Sequence, residues 1–214
     1  NRDTYLESVE KLQSAGLDVE GVTLDQSNEA NVLDVLEKIS NNFKAPDILI
    51  NSGFSRPMQN FFNDTVSNWD KSMEVNTRGI FITCRAFGNK MAKQGKGSII
   101  NISSIYGTVA PDMSIYDGSD FETEPDYAFI KGGVISFSKY LSSYYSKHNV
   151  RVNCISPGGF FNNQPEPFLS KYIAKTPLGR MALHNDMKGV ALFLASDASS
   201  YITGSVIPVD GGWT

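Results

Sequence analysis

The 214-residue sequence predicts an α/β fold built on a parallel sheet, and three observations carry that prediction. Segments of strand and helix character alternate from end to end. The strand candidates are short and rich in Ile and Val, as strands covered on both faces should be. Turn residues punctuate the later joints, with Gly204 before the last strand candidate and Pro157-Gly158-Gly159 after the one before it.

Taken in order, residues 1–16 read as a helix and 19–24 as a strand. A helix at 28–43 sets Val32, Leu36, Ile39 and Phe43 on one face, and a strand comes next at 47–51. Residues 67–91 form a long helix candidate, 97–103 a strand, 127–146 a second long helix, and 150–156 and 205–209 the last two strands. No repeat, low-complexity stretch or linker interrupts the series, so residues 1–214 are expected to form one domain. A hydrophobic content of 41% suffices for its core. The chain opens on a helix with no strand and no glycine-rich turn ahead of it, although that turn cradles the pyrophosphate in a dinucleotide-binding βαβ unit. The N-terminal βαβ portion is therefore expected to be missing from this chain.

Composition removes several classes of function. With a net charge of −4 and no basic stripe, nucleic acid is not expected as a partner. The longest apolar runs, such as 189–195, fall well short of the roughly 20 residues of a membrane span. Cys84 and Cys154 sit in apolar segments and read as reduced, buried thiols of a cytoplasmic protein. Two histidines and no cysteine cluster give no reason to expect a metal site.

Tyr127 and Lys131 lie four residues apart, hence on one helical face. An ammonium beside a phenol favours phenolate, which suits the phenol to general acid/base work. By itself this spacing arises often by chance. Its company is more telling: Asn101-Ile102-Ser103-Ser104 ends the preceding strand and Ser156-Pro157-Gly158-Gly159 ends the following one.

In that order these motifs resemble the short-chain dehydrogenase/reductase family, and further matches run along essentially the whole chain. Leu49-Ile50-Asn51-Ser52-Gly53 resembles a family strand end. Met73-Glu74-Val75-Asn76 with Gly79 resembles the helix bearing its fourth catalytic residue, and Asp210-Gly211-Gly212 resembles its C-terminal signature. The resemblance implies a single-domain, Rossmann-like, doubly wound parallel sheet and an NAD- or NADP-dependent oxidoreductase. That enzyme interconverts a secondary alcohol and a ketone.

Tyr127 would exchange the proton with the substrate oxygen and Ser104 would hydrogen-bond the same oxygen. Lys131 would hold the nicotinamide ribose, and Asn76 would fix a water leading from Lys131 to solvent. Ser103 competes for the serine role, but neighbours on a strand face opposite ways. For the cofactor, Asp25 and Gln26 would meet the adenine, and Asn51, Ser52 and Gly53 would lie under the adenosine ribose. Pro157, Gly158 and Phe160 would shape the nicotinamide pocket. Ile50 and Ser52 depart from the family pattern, as does the absence of a Thr after Pro157-Gly158. The helices at 67–91 and 127–146 correspond to those through which family members form homodimers or homotetramers.

Two segments address the substrate. The interval 108–126 is longer than in most family members and holds Asp112, Asp117, Asp120, Glu122, Glu124 and Asp126 with no Lys or Arg. It is expected to wall the substrate site, with its acids repelling anions and favouring a neutral polyol or an amino group, or facing water as a solvated loop. Tyr106 and Tyr116 are placed to stack on a sugar ring or to anchor that loop. Residues 160–180 read as a lid. Tyr106-Gly107, Ala110-Pro111-Asp112, Tyr127 with Lys131-Gly132-Gly133, and Asn163-Gln164-Pro165 together resemble bacterial sugar and surface-glycan oxidoreductases. A 3-ketoacyl-carrier reductase is the alternative, and a scaffold without catalysis the alternative of another class.

Overall fold

Four strands, β1 (Ile48–Asn51), β2 (Gly97–Ile102), β3 (Val150–Pro157) and β4 (Val206–Val209), form one parallel sheet in the order β1-β2-β3-β4. They come from a computed structural model describing the backbone of residues 2–43 and 45–214, and the side chains of all of these except 2–4. Each strand lies within one residue of its predicted bounds. The registers pair Asn51 with Asn101, Ile102 with Ile155 and Pro157 with Val209, so the carboxyl ends of all four strands emerge at one edge.

Helices cover both faces, as a buried parallel sheet requires. On β2 the neighbours Ile99 and Ile100 are both fully buried and point opposite ways. Ile99 packs with Val152 against Cys84 and Met91 of α4 (Gly79–Gln94) and Leu141 of α5 (Pro125–Tyr145). Ile100 and Ile155 pack against Leu194 of α7 (Lys188–Ala195). Both cysteines are free and buried. Burial pushes the Cys84 thiol up to about 12 and the Cys154 thiol up to about 11.

The first half departs from expectation in three places. Helix α1 (Arg2–Ser14) forms; the first residue of the predicted helix, Asn1, lies outside the described residues. Residues 19–24 do not form a strand. Among the described residues they have no hydrogen-bonded neighbour strand, and side chains of α1 take their carbonyls instead: Gln13 Nε2 donates to Val19 O (2.8 Å) and the Tyr5 hydroxyl to Gly21 O (3.0 Å). A strand exists only through its ladder, so β propensity alone was insufficient here. Helix α2 (Glu29–Asn42) is capped by the Asn28 side chain, which accepts from Asn31 N–H. It buries Val32, Val35 and Leu36, whereas Phe43 ends the helix and is exposed.

The long helix predicted at 67–91 is α3 (Val66–Met73) running into α4 through a π-helical turn, Glu74–Arg78. Such a turn inserts an extra residue into the helix and re-aims the side chains beyond it. Asn76 lies in it.

Candidate active site

Helix α5 begins at Pro125, a residue suited to a first helical turn. Tyr127 therefore leaves the first turn of α5 and Lys131 the next. Lys131 is buried, at 7% exposure, and its Nζ donates to Ile102 O at the end of β2 (2.9 Å) and sits 4.6 Å from the Phe54 ring centroid. Burial first, with a smaller push from the Arg56 charge, lowers its ammonium to about 8. The Tyr127 ring packs edge-on against Phe54 and Tyr106, at centroid distances of 5.2 and 6.5 Å. Its hydroxyl has no partner among the described residues.

The two serines after β2 both border the same cavity and differ in how their hydroxyls are used. Ser103 Oγ donates to Lys131 O (2.7 Å) and ties the strand end to α5. Ser104 caps a short 3-10 turn, Ile105–Gly107, accepting from Tyr106 N–H (3.2 Å) and keeping its own hydroxyl hydrogen free. That turn lies against α5 because residue 107 is glycine: a Cβ there would stand 2.7 Å from the backbone carbonyl of Lys131.

Ser104, Tyr127 and Lys131 line one cavity of about 520 Å³. Ser52, Pro157, Gly158, Phe160, Tyr106 and Tyr116, all singled out in the sequence, line it too. So do Glu122 of the acidic interval and Gln164, and also Phe54, Arg56 and Tyr172, which were not singled out. Arg56 stands three residues beyond Gly53 of the strand-end motif, and that nearness was the one signal available for it.

The remaining predicted residues lie elsewhere. Asn51 Nδ2 donates to Asn101 Oδ1 (2.8 Å), and Asn101 Nδ2 to Ser138 Oγ (2.9 Å), a buried tie between β1, β2 and α5. Gln26 Nε2 donates to Val75 O (3.0 Å), and the Gln26 side chain lies where a Cβ on Gly53 or Gly79 would be. Asn51, Gly53, Gln26, Asn76 and Lys131 border a second, small cavity of about 10 Å³. Asp25 borders neither; its carboxylate accepts from Ser27 N–H and Ser27 Oγ, and these hydrogen bonds hold it below the usual carboxylate range.

Asn76 is buried and nearly saturated. Its Nδ2 donates to Ser55 O (2.8 Å) and Ser72 Oγ (3.0 Å), and its Oδ1 accepts from Ser55 N–H (2.8 Å). Ser72 in turn donates to the buried carboxylate of Asp126. One lone pair of Asn76 Oδ1 remains for another donor.

The acidic interval and the residues read as a lid pack on each other. Ile115, fully buried, joins Phe168 and Tyr172 of α6 (Phe168–Lys175) and Met181 in one cluster. Lys171 Nζ donates to Ser114 O (3.0 Å) and Asp117 O (2.7 Å), and Lys175 pairs with Asp112. The hydroxyls of Tyr106 and Tyr116 are 3.1 Å apart, and burial first raises the titration range of both phenols. Of the six acids, only Glu122 lines the 520 Å³ cavity, while Asp117, Asp120 and Glu122 line a neighbouring one of about 570 Å³. Asp112 and Asp126 are engaged elsewhere, Glu124 pairs with Arg56 of the cavity lining, and Asp117 and Asp120 are exposed.

Among known proteins, the family described as enoyl-(acyl carrier protein) reductase matches over residues 1–214. The 2-dehydro-3-deoxy-D-gluconate 5-dehydrogenase of Dickeya dadantii is 31% identical over 214 residues, covering 97% of this chain and 81% of that protein. A 3-oxoacyl-(acyl-carrier-protein) reductase of Chlamydia pneumoniae is 32% identical over 211 residues, covering 96% and 81%. A solved short-chain dehydrogenase from Leptospira borgpetersenii with bound NAD+ superposes with a TM-score of 0.84 at 37% identity, over 92% of this chain and 78% of that one. Sequence, sheet order and relatives agree: the chain belongs to the short-chain dehydrogenase/reductase family of NAD(P)-dependent oxidoreductases acting on CH–OH groups.

Proposed function

We propose that this chain interconverts a secondary alcohol and a ketone on a sugar-like substrate held in the 520 Å³ cavity, with Tyr127 as general acid/base. The observation that carries the reading is the pair of unspent hydroxyls, on Tyr127 and Ser104, lining that one cavity. Tyr127 exchanges the proton at the substrate oxygen. Ser104 donates to the same oxygen, which stabilises it as it gains charge during carbonyl reduction.

The residues present fit a nicotinamide dinucleotide, NAD or NADP. Ser52, Pro157 and Gly158 line the cavity at the carboxyl ends of β1 and β3, where open parallel sheets take such ligands. A cavity of this volume, bordered there by small residues, leaves room for a flat ring. The group, when bound, supplies or takes up the hydride. Lys131 retains two of its three N–H donors for the ribose hydroxyls after bonding Ile102 O. Asn76 borders the small cavity with Lys131, and the free lone pair on its Oδ1 suits a water relaying protons from that ammonium.

A polyhydroxylated substrate suits the polar lining, with the Tyr106 and Tyr116 hydroxyls, Gln164 and Glu122 around the space. The segments 108–126 and 160–180, clasped through Ile115 and Lys171, form its outer wall. The Dickeya dadantii relative, named for a sugar acid, supports this, while the Chlamydia pneumoniae relative supports a ketoacyl-carrier substrate as the second reading. Steady-state turnover of a ketosugar against a ketoacyl thioester separates the two, and preference for the thioester ends the sugar reading. Tyr127→Phe should abolish turnover while leaving cofactor binding, monitored by fluorescence, largely intact; unchanged turnover refutes the role given to Tyr127.

The same reading extends to assembly. Phe81, Phe129, Tyr140 and Tyr144 stand exposed along α4 and α5, the face expected to join two or four copies. Sedimentation showing only monomer at micromolar concentration counts against that. Two free, buried thiols suit a cytoplasmic enzyme, and no helix among the described residues is long and apolar enough to cross a membrane.

A further inference from the structure

We infer that Arg56 is a specificity-determining residue that receives a carboxylate of the substrate, so that the sugar-like molecule is a sugar acid. The inference rests on the function proposed above and names the class of substrate for the same cavity.

Arg56 lines the cavity with its Cζ 4.9 Å from the ring centroid of Tyr127 and 5.8 Å from that of Phe54, which places the guanidinium beside the acid/base residue. Its only ionic partner among the described residues is Glu124, reached through Nη1 alone, at 3.2 and 3.5 Å to the two carboxylate oxygens. Nε and Nη2 meet no partner among the described residues. The free edge is the planar fork that matches a carboxylate with two parallel hydrogen bonds. An arginine serving only to hold Glu124 would be expected to spend that edge on it.

Glu124 has stabilisation besides Arg56, although its side chain makes no capping hydrogen bond. It is the N-cap residue of α5, where the helix dipole favours a negative charge. The Arg56 side chain is 58% exposed and that of Glu124 14%, so the arginine is the member of the pair free to swing to a ligand. The cavity's other cation, Lys131, is buried against Ile102 O.

The acidic interval had pointed instead to a neutral or amino substrate. Asp112 and Asp126 are paired away from the cavity and Glu124 sits on Nη1 of Arg56, which leaves Glu122 as the interval's one acid in the lining. An anion entering the site therefore meets a guanidinium over the reacting tyrosine.

The test compares an aldonate with the alditol of the same carbon number on the cofactor-loaded enzyme, by calorimetric Kd and by KM. The wild type should bind the aldonate more tightly. Arg56→Gln should lower the aldonate-to-alditol preference about tenfold to a hundredfold, the range for a hydrogen-bonded charge pair. Arg56→Lys should restore part of it, keeping the charge without the fork. Glu124→Gln should raise the preference by releasing Arg56, whereas a purely structural clamp would respond to Glu124→Gln as it does to Arg56→Gln. An unchanged preference in Arg56→Gln, a lowered one in Glu124→Gln, or a wild type favouring the alditol overturns the inference. Failure of the underlying reading looks different: Tyr127→Phe would keep its turnover while aldonate binding still depended on Arg56.

Discussion

Lys131 holds an ammonium where the fold exposes only 7% of the residue, and burial lowers its titration from 10.5 to about 8. The gap corresponds to about 3 kcal/mol by which the folded environment disfavours the charge. Lys131→Met keeps the volume and removes the charge, at the loss of one charge-assisted hydrogen bond to Ile102 O, about 1.5–3 kcal/mol. The variant should therefore be no less stable than the wild type at pH 7 and up to about 1.5 kcal/mol more stable, a rise in Tm of up to about 6 °C for a chain of this size, and catalytically dead.

The pH dependence gives a second check. Because the folded value lies below the unfolded one, the unfolded chain binds more protons between about 8 and 10.5. Across that window the Lys131 contribution makes the wild type more stable as pH rises, and the penalty is fully present below it. The advantage of Lys131→Met should thus be greatest at pH 7 and shrink towards pH 10. Urea unfolding of the cofactor-free proteins at pH 7 and pH 9.5 reads both effects. A variant less stable at pH 7, or a difference that does not change with pH, would refute the reasoning.

Two further perturbations separate chemistry from packing. Ser104→Ala should cut kcat/KM by about 10²–10³ with little change in the urea midpoint. Ser103→Ala should instead lower stability by about 1 kcal/mol through the lost bond to Lys131 O; equal kinetic losses in the two would undo the division of roles. Gly107→Ala should destabilise by about 1–3 kcal/mol, because its Cβ meets backbone rather than a movable side chain. A melt within error of the wild type would show that the Ile105–Gly107 turn can shift away from α5.

What could be read without coordinates was whatever local pattern controls. The four strands that exist were placed to within a residue, since runs such as Ser98-Ile99-Ile100 and Val152 to Ile155 sit between turn residues. The grouping of Ser104, Tyr127 and Lys131 came from motif order, because the ends of parallel strands share one edge whatever the intervening loops do. Alternation suggested different tasks for Ser103 and Ser104; the structure spends the Ser103 hydroxyl on Lys131 O but leaves both residues in the cavity lining.

Tertiary contacts decided the rest, and in each case a partner distant in sequence was the reason. Residues 19–24 have strand composition but no ladder, so they stay irregular. Asn51 looks like a ligand-facing residue until Asn101, 50 positions away, takes its amide. The acids of 108–126 form a charge run in the sequence, yet Lys175, Arg56 and Ser72 draw three of them away. Arg56 itself carried no motif. Its place over Tyr127 depends on the path of the loop after β1 and on α5, and only the folded chain brings these together.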